Sequence, residues 1–362
     1  MKLIVDGYYL GNGRGMSRYV EALLESAPSV PLIESPPQRS WLPAKVQSLP
    51  PVWEQWLLPT TIRRYPGSVL LCGFNTGPLR LAADVRLVQV LHDLIFLSSL
   101  DELPLSRSIG QNLGRLYRRI VAPRVALRAD VILTVSEFSK SEIVRRLGVD
   151  ASRVMVIPNS IPDRQVASTA TPAHARKRIV FTVSGDAPSK NLEGALQTFA
   201  LFVERPPHED WRLLIAGVPV HAQQHFRVQA AALGVDEKVE FLPRISDEDL
   251  QNHYRSAFAY LCTSWQEGFG IPVLEAMAQG LPVVSSNRTS LPEVIGDAGL
   301  LYDPSVPADG ADALTQLRAQ DGMFDTFSKR ALERSKCYTR SAVAPQIEAF
   351  WQLLASDRRI YR

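Results

Sequence analysis

Ser264-Trp265-Gln266-Glu267-Gly268-Phe269-Gly270-Ile271-Pro272-Val273-Leu274-Glu275-Ala276-Met277-Ala278-Gln279-Gly280-Leu281-Pro282-Val283-Val284 is the stretch from which the fold is read. A strand ends near Cys262 and a glycine-rich turn follows it. Pro272 fits the first turn of a helix, where a missing N–H costs nothing. The helix runs to about Gln279, Gly280 closes it, and a buried strand begins at Pro282. Gly268 and Gly270 let a ligand approach backbone N–H groups closely, and the positive end of the helix dipole points at the same place. Glu267 and Glu275 stand at the mouth of this anion-friendly helix. Two carboxylates there suit a ligand that carries hydroxyls as well as phosphates. The pattern Ile271, Leu274 and Ala278 reads as the stripe that packs the helix and leaves Glu275 for the ligand.

Outward from this stretch, short apolar runs alternate with segments of helical period. In the first half the strands are expected at Leu3–Val5, Ser68–Leu71, Arg86–Leu91, Val131–Val135 and Val154–Ile157. In the second half they are expected at Ile179–Val183, Arg212–Ala216, Val239–Phe241, Ala259–Leu261, Pro282–Ser285 and Gly299–Tyr302. Continuous Val/Ile/Leu runs are the mark of strands buried on both faces, as in parallel sheets. Alternation with helices gives an α/β, doubly wound class. The reading is two Rossmann-like domains: residues 1–162, a linker at 163–178 that lacks apolar period, and residues 179–340. The last helix, within 341–362, carries Ile347, Phe350, Trp351 and Leu354 at helical spacing and is expected to pack back on the first domain. Ligand sites of open α/β sheets lie at the carboxyl ends of the strands, and a cleft between two such domains is the expected active site.

The chain has 362 residues, 46% hydrophobic and 21% charged, which excludes disorder over most of its length. A net charge of +3 gives no argument for nucleic acid. The three cysteines, Cys72, Cys262 and Cys337, are scattered without metal-ligand spacing. The apolar run after Met1-Lys2 is too short for a signal peptide, and no stretch is long enough to span a bilayer. The expected location is cytoplasmic, with peripheral contact to the inner face of the plasma membrane left open.

The quoted stretch resembles the E-x7-E signature of the GT4 family of retaining glycosyltransferases, which have the GT-B fold. The likeness extends over most of the chain. Gly15-Met16-Ser17-Arg18-Tyr19 is similar to the family's glycine loop after the first strand, and Val90-Leu91-His92-Asp93 to its His-Asp strand end. Ala129-Asp130, Val135 through Lys140, Ile157-Pro158-Asn159-Ser160 and Ser290 through Val294 resemble further landmarks. Ser189-Lys190-Asn191-Leu192 stands where the family places its phosphate-binding lysine.

That resemblance implies a role for each matching residue. Glu275 holds the donor ribose, and Glu267 lies near the donor sugar. The backbone of Gly268, Phe269, Gly270 and Ile271 contacts its hydroxyls or phosphates. Lys190 neutralises the diphosphate leaving group, and His92 lies near the reacting sugar. Gly13 and Gly15 let the backbone approach the diphosphate. The chain departs from the family at Ser184, where many members have an arginine. This places weak donor binding, or a different donor, among the alternatives.

The implied function is a retaining transfer of a hexose from a nucleotide-diphosphate sugar to a polysaccharide or lipid-linked glycan. General similarity points to GDP-mannose, with UDP sugars equally allowed. No metal or other cofactor is expected. A donor-binding subunit without catalysis and a nucleotide-sugar epimerase are the alternatives.

Between Leu103 and Ala129 there are six arginines and no acid. Helical spacing there puts Leu113, Leu116, Tyr117 and Ile120 on one face and Arg115, Arg118 and Arg119 on the other. The apolar face is expected to pack inward. The basic face is then either a solvated surface or a contact for anionic lipid or a polyprenyl-diphosphate acceptor.

Overall fold

The computed structural model describes residues 2–11, 15–35, 46, 49–243, 245–320 and 322–356. Gly13, expected in the glycine loop, lies outside the described residues. The chain divides into two units. One takes the residues up to Ser98, Ser108–Ser160 and those from Val343 on; the other takes Ser99–Arg107 and Ile161–Ala342.

The first unit is built on a parallel sheet in the order β2-β1-β3-β4-β5-β6. Its strands are β1 (Leu3–Asp6), β2 (Leu32–Glu34), β3 (Val69–Cys72), β4 (Arg86–Val90), β5 (Val131–Thr134) and β6 (Val154–Val156). β1, β3 and β5 are buried along their whole length, which is why they read as unbroken apolar runs. β2 is an addition to the expected set. It is a three-residue edge strand with exposed Leu32 and Ile33, too short to carry a period.

The second unit repeats the plan in the order β12-β11-β10-β7-β8-β9. Here β7 is Ile179–Val183, β8 Arg212–Ala216, β9 Val239–Phe241, β10 Ala259–Cys262, β11 Val283–Ser286 and β12 Gly299–Tyr302. The central pairings are parallel, with Val180 opposite Ala259 and Leu261 opposite Val284. β7 and β10 are neighbours, so the loops that follow them emerge side by side. Those loops carry Lys190 and Glu267.

Residues 163–178, expected as a linker, belong to the second unit. Arg176 is buried, and its guanidinium donates to the carbonyls of Tyr254 (3.0 Å), Ala257 (2.9 Å), Gln279 (3.2 Å) and Gly280 (2.9 Å). Ala167 N donates to Ala278 O at 2.8 Å. The segment therefore satisfies the carbonyls that the helix Ile271–Ala278 leaves open at its C-terminus. An Ala/Ser/Thr/Pro-rich composition signals a loop but does not say whether that loop is tied down.

The helix Arg340–Ser356 enters the first unit from Val343. Val343, Ile347, Phe350, Trp351 and Leu354 are buried, and Trp351 Nε1 donates to Leu23 O at 3.2 Å.

Of the face of helix Ile109–Arg128 expected to pack inward, Tyr117 does so, while Leu113, Leu116 and Ile120 do not. The buried residues of the helix are Val121, Ala122, Val125 and Ala126. Ile109 (76% exposed), Leu113 (62%), Leu116 (54%) and Ile120 form an apolar stripe in solvent. Arg115 and Arg119 donate to Ser98 O at 2.7 and 3.0 Å. Among the described residues no helix is long and apolar enough to cross a membrane.

Candidate functional site

Two loops at the carboxyl ends of β7 and β10 are stapled together. Trp265 N and Gln266 N donate to Ser189 O at 2.8 and 3.3 Å. Asn191 adopts a left-handed conformation (φ 48°) and caps the helix Leu192–Val203 through its side chain, which accepts from Gly194 N. Its Nδ2 also donates to Thr263 O at 2.9 Å, while Thr263 Oγ1 donates to Asn191 O at 2.7 Å. These bonds fix where Lys190 begins and where Glu267 can reach. Neither Asn191 nor Thr263 is given a role by the sequence; an Asn immediately before an apolar helical run is the signal it offers.

The two side chains meet. Lys190 Nζ lies 2.7 Å from Glu267 Oε1 and 3.0 Å from Oε2, and Ser264 Oγ donates to Oε1 at 2.7 Å. The Glu267 backbone is held as well: its N–H donates to Thr289 Oγ1 at 3.0 Å, and its carbonyl accepts from Ser290 Oγ at 3.0 Å. Thr289 and Ser290 come from the loop after β11, so three strand ends converge on this glutamate.

Gly270 precedes the helix with φ 100°, and a Cβ there would stand 2.8 Å from Leu291 Cδ2. Only glycine fits. Phe269 is buried against the Tyr338 ring, with centroids 5.4 Å apart. Within the turn Phe269 and Gly270 are buried, while Gly268 and Ile271 are half-buried.

The helix packs through Val273, Leu274, Ala276, Met277 and Ala278. Ile271 is only half-buried, which corrects the expected stripe. Glu275 is half-buried and already has a protein partner, the hydroxyl of buried Tyr254, which donates to Oε2 at 3.1 Å. Packing thus does not use the carboxylate, but the fold does bind one of its oxygens.

Ser184 is buried at the end of β7. Its N–H donates to Ala216 O and its hydroxyl to Gly185 O at 3.1 Å. Gly217 (φ 92°) passes so close that a Cβ would meet Ser184 O at 2.7 Å. The hydroxyl is turned to its own backbone and brings no positive charge.

In the first unit His92 follows β4 and is buried. Its Nε2 lies 3.0 Å from Gly73 O, so Nε2 carries the proton of the neutral ring, because a carbonyl only accepts. Asn75 Oδ1 accepts from His92 N at 2.6 Å, and the ring stands edge-on to Tyr19 at 5.1 Å. Burial lowers its pKa to about 4, partly offset by the Gly73 bond. Tyr19 lies on the helix Gly15–Glu25, which Gly15 opens. Ser17, on the same helix, accepts from Gly11 N and donates to Glu21 Oε1. It is therefore used in closing the turn.

Sequence reasoning missed a second cluster in this unit. Glu54 is buried on a π-helical turn, Trp53–Leu57. It accepts from Thr76 Oγ1 and Tyr117 Oη, both at 2.7 Å. Burial raises its pKa to about 7, against the lowering effect of those two bonds. Trp53 Nε1 donates to buried Asp6 Oδ1 at 2.8 Å, and burial raises the Asp6 pKa also. These residues lie far apart in sequence and form no motif. The one local signal, a π-turn at a buried acid, is visible only in three dimensions. Among the described residues no three His, Cys, Asp or Glu side chains come together to hold a metal ion.

Two Rossmann-like units on parallel six-stranded sheets, the second carrying a glycine-led helix beside a Lys–Glu pair, define a GT-B fold. Solved structures agree. Anabaena HepE, in complex with UDP and glucose, matches with a TM-score of 0.72 at 17% identity, over 98% of this chain and 100% of that one. WaaG, a glycosyltransferase involved in lipopolysaccharide biosynthesis, matches with a TM-score of 0.70 at 15% identity, over 98% and 100%.

Glycosyltransferase Family 4 matches residues 15–165 and Glycosyl transferases group 1 matches residues 163–334, so the chain belongs to the GT4 family of group 1 glycosyltransferases. Among its relatives, O-antigen chain mannosyltransferase B of Escherichia coli is 34% identical over 62% of this chain and 61% of the relative. MMP alpha-(1->4)-mannosyltransferase of Mycolicibacterium hassiacum is 33% identical over 63% of this chain and 55% of the relative. The chain spans about three fifths of the length of the first of these curated relatives.

Proposed function

We propose that this protein transfers a hexose from a nucleotide-diphosphate sugar to a glycan acceptor, with retention of configuration at the anomeric carbon. The observation that carries the reading is the Lys190–Glu267 pair beside the glycine-led turn, with Glu275 on the helix Ile271–Ala278 that the turn opens. A lysine, backbone amides and a helix N-terminus are groups that stabilise a departing diphosphate. Glu275 offers a carboxylate to ribose hydroxyls, and Glu267 is placed to meet the sugar. His92, neutral and oriented by Gly73, is the residue of the first unit assigned to the reacting sugar. Gly15 is assigned to the diphosphate.

Mannose is the proposed sugar, supported by the names of two relatives, O-antigen chain mannosyltransferase B and MMP alpha-(1->4)-mannosyltransferase. The proposed acceptor is a polysaccharide or a lipid-linked glycan. The reaction is read as metal-independent; the one Asp-x-Asp of the chain, Asp247-Glu248-Asp249, forms the first turn of the helix Asp247–Ser256, where Asp249 accepts from the Ser246 hydroxyl at 2.7 Å. A further part of the reading is a peripheral contact with anionic membrane through the apolar stripe of Ile109–Arg128, which basic residues flank.

The test is a screen of GDP-mannose and UDP sugars by thermal shift, followed by transfer to a lipid-linked glycan with and without EDTA. Stabilisation by one donor and product formation insensitive to EDTA are expected. Loss of activity that Mg²⁺ or Mn²⁺ restores overturns the metal-independent part. Donor binding without transfer or hydrolysis favours the binding-subunit alternative, which the uncharged Ser184 supports.

A further inference from the structure

The helical run Pro50–Ile62 and the connection between β3 and β4 enclose a cavity of about 660 Å³ in the first unit. None of the residues assigned above to donor or reacting sugar lines it. Trp56, Pro59, Leu79 and Leu81 supply apolar walls, and Arg63 and Arg80 stand at exposed positions on its rim. Trp56 is 73% exposed and lines the cavity together with Leu79 and Leu81.

The cavity is held by Gln55. Its Nε2 donates to Gly77 O (3.0 Å) and Tyr117 Oη (2.9 Å), and its Oε1 accepts from Leu79 N (2.9 Å). This fastens the π-turn to the connection. The amide is thereby fully engaged. The other uncharged polar side chain in the lining, Thr60, donates its hydroxyl back to Trp56 O and Leu57 O. The lining therefore offers few hydrogen-bond acceptors for a ligand rich in hydroxyls. It presents apolar surface and two guanidinium groups instead, and among the described residues neither Arg63 nor Arg80 forms an ion pair.

We propose that this cavity binds an amphipathic anion: an apolar chain or ring that bears a phosphate or carboxylate. The apolar part lies against Trp56, Leu79 and Leu81, and the anion is taken by Arg63 and Arg80, whose planar forks match its oxygens. The volume is that of a small-molecule site. The site belongs to the first unit alone and does not depend on the transfer reaction.

Calorimetric titration of the full chain with monomeric dodecyl phosphate, below its micelle concentration, tests it. Binding is expected, with affinity about tenfold weaker for the Arg63→Gln/Arg80→Gln double variant, the loss expected for charge-assisted bonds. Trp56→Ala should weaken it also. These side chains are exposed, so the variants should melt with the parent. No binding, equal binding of neutral dodecyl maltoside, or variants that bind as the parent does would each overturn the proposal. Vesicles of phosphatidylglycerol identify the source. If the double variant loses vesicle capture together with dodecyl phosphate, the ligand is a membrane headgroup; if it loses only dodecyl phosphate, the ligand is a soluble amphiphile. Inorganic phosphate that binds as tightly as dodecyl phosphate would also refute it.

Discussion

Lys190 and Glu267 close a two-pronged ion pair, with the ammonium 2.7 Å from one carboxylate oxygen and 3.0 Å from the other. The charge assigned to the leaving group is therefore neutralised until a donor arrives. Lys190→Ala should lower kcat by about 10²-fold, the size of effect seen when one preorganised donor is lost. The Kd for a nucleoside monophosphate should change little. Glu267→Gln removes the counter-charge. It should tighten nucleoside diphosphate binding while slowing transfer. An unchanged kcat in the first variant, or weaker diphosphate binding in the second, would break the assignment.

The Tyr254 hydroxyl on Glu275 makes a pair of variants informative. Glu275→Ala removes the carboxylate that accepts from the buried Tyr254 hydroxyl and should cost about 1–3 kcal/mol of stability without ligand. It should also abolish most of the rise in melting temperature that donor produces. Tyr254→Phe should lose stability but keep the donor-induced rise. Should both variants respond to donor alike, Glu275 serves the fold and not the ribose.

His92 and Glu54 should make opposite contributions to stability as pH changes. His92 titrates at about 4 in the folded chain. Its contribution is present above the unfolded value near 6.5 and is lost as pH falls toward 4, roughly 3 kcal/mol in all. Glu54 titrates at about 7 when folded. Its contribution is present below the unfolded carboxylate value and is lost as pH rises toward 7, again roughly 3 kcal/mol. Between about pH 4.5 and 6.5 the two slopes cancel. His92→Gln should therefore be relatively more stable at pH 5 than at pH 7, and Glu54→Gln the reverse, by urea midpoints. Two variants with the parent's pH profile would show that neither group is shifted.

The orientation of Ile109–Arg128 decides which substitutions matter for a membrane. Leu113→Ser with Leu116→Ser should reduce sedimentation with phosphatidylglycerol vesicles at any salt. Arg115→Gln with Arg119→Gln should lower melting temperature, since both guanidinium groups hold Ser98 O. A parent protein that never sediments removes the membrane reading.

The strands and the glycine-led helix were legible because burial on both faces leaves an unbroken apolar run and because φ above zero demands glycine at Gly270. The helix Ile109–Arg128 was not. It has apolar residues on two faces, Leu113 and Leu116 on one and Val121 and Val125 on another, and periodicity alone does not say which one faces the core. The Lys190–Glu267 contact was not legible as a bond, because it depends on β7 and β10 being neighbours in the sheet. Glu54 was invisible for the same reason: Thr76 and Tyr117 reach it only through tertiary structure. Segment 163–178 misled because its bonds run through backbone and one arginine, neither of which leaves a pattern in composition.

Trp351 on Leu23 joins residues that leave the ribosome far apart in time. The whole of the second unit, through Ala342, is synthesised before Val343, Ile347, Phe350 and Leu354 exist to cover the first. Domains commonly fold in the order in which they emerge. Here that order is interrupted: the half made first must hold an open apolar surface while the half made second can already be complete, and it is sealed only by the helix that comes after.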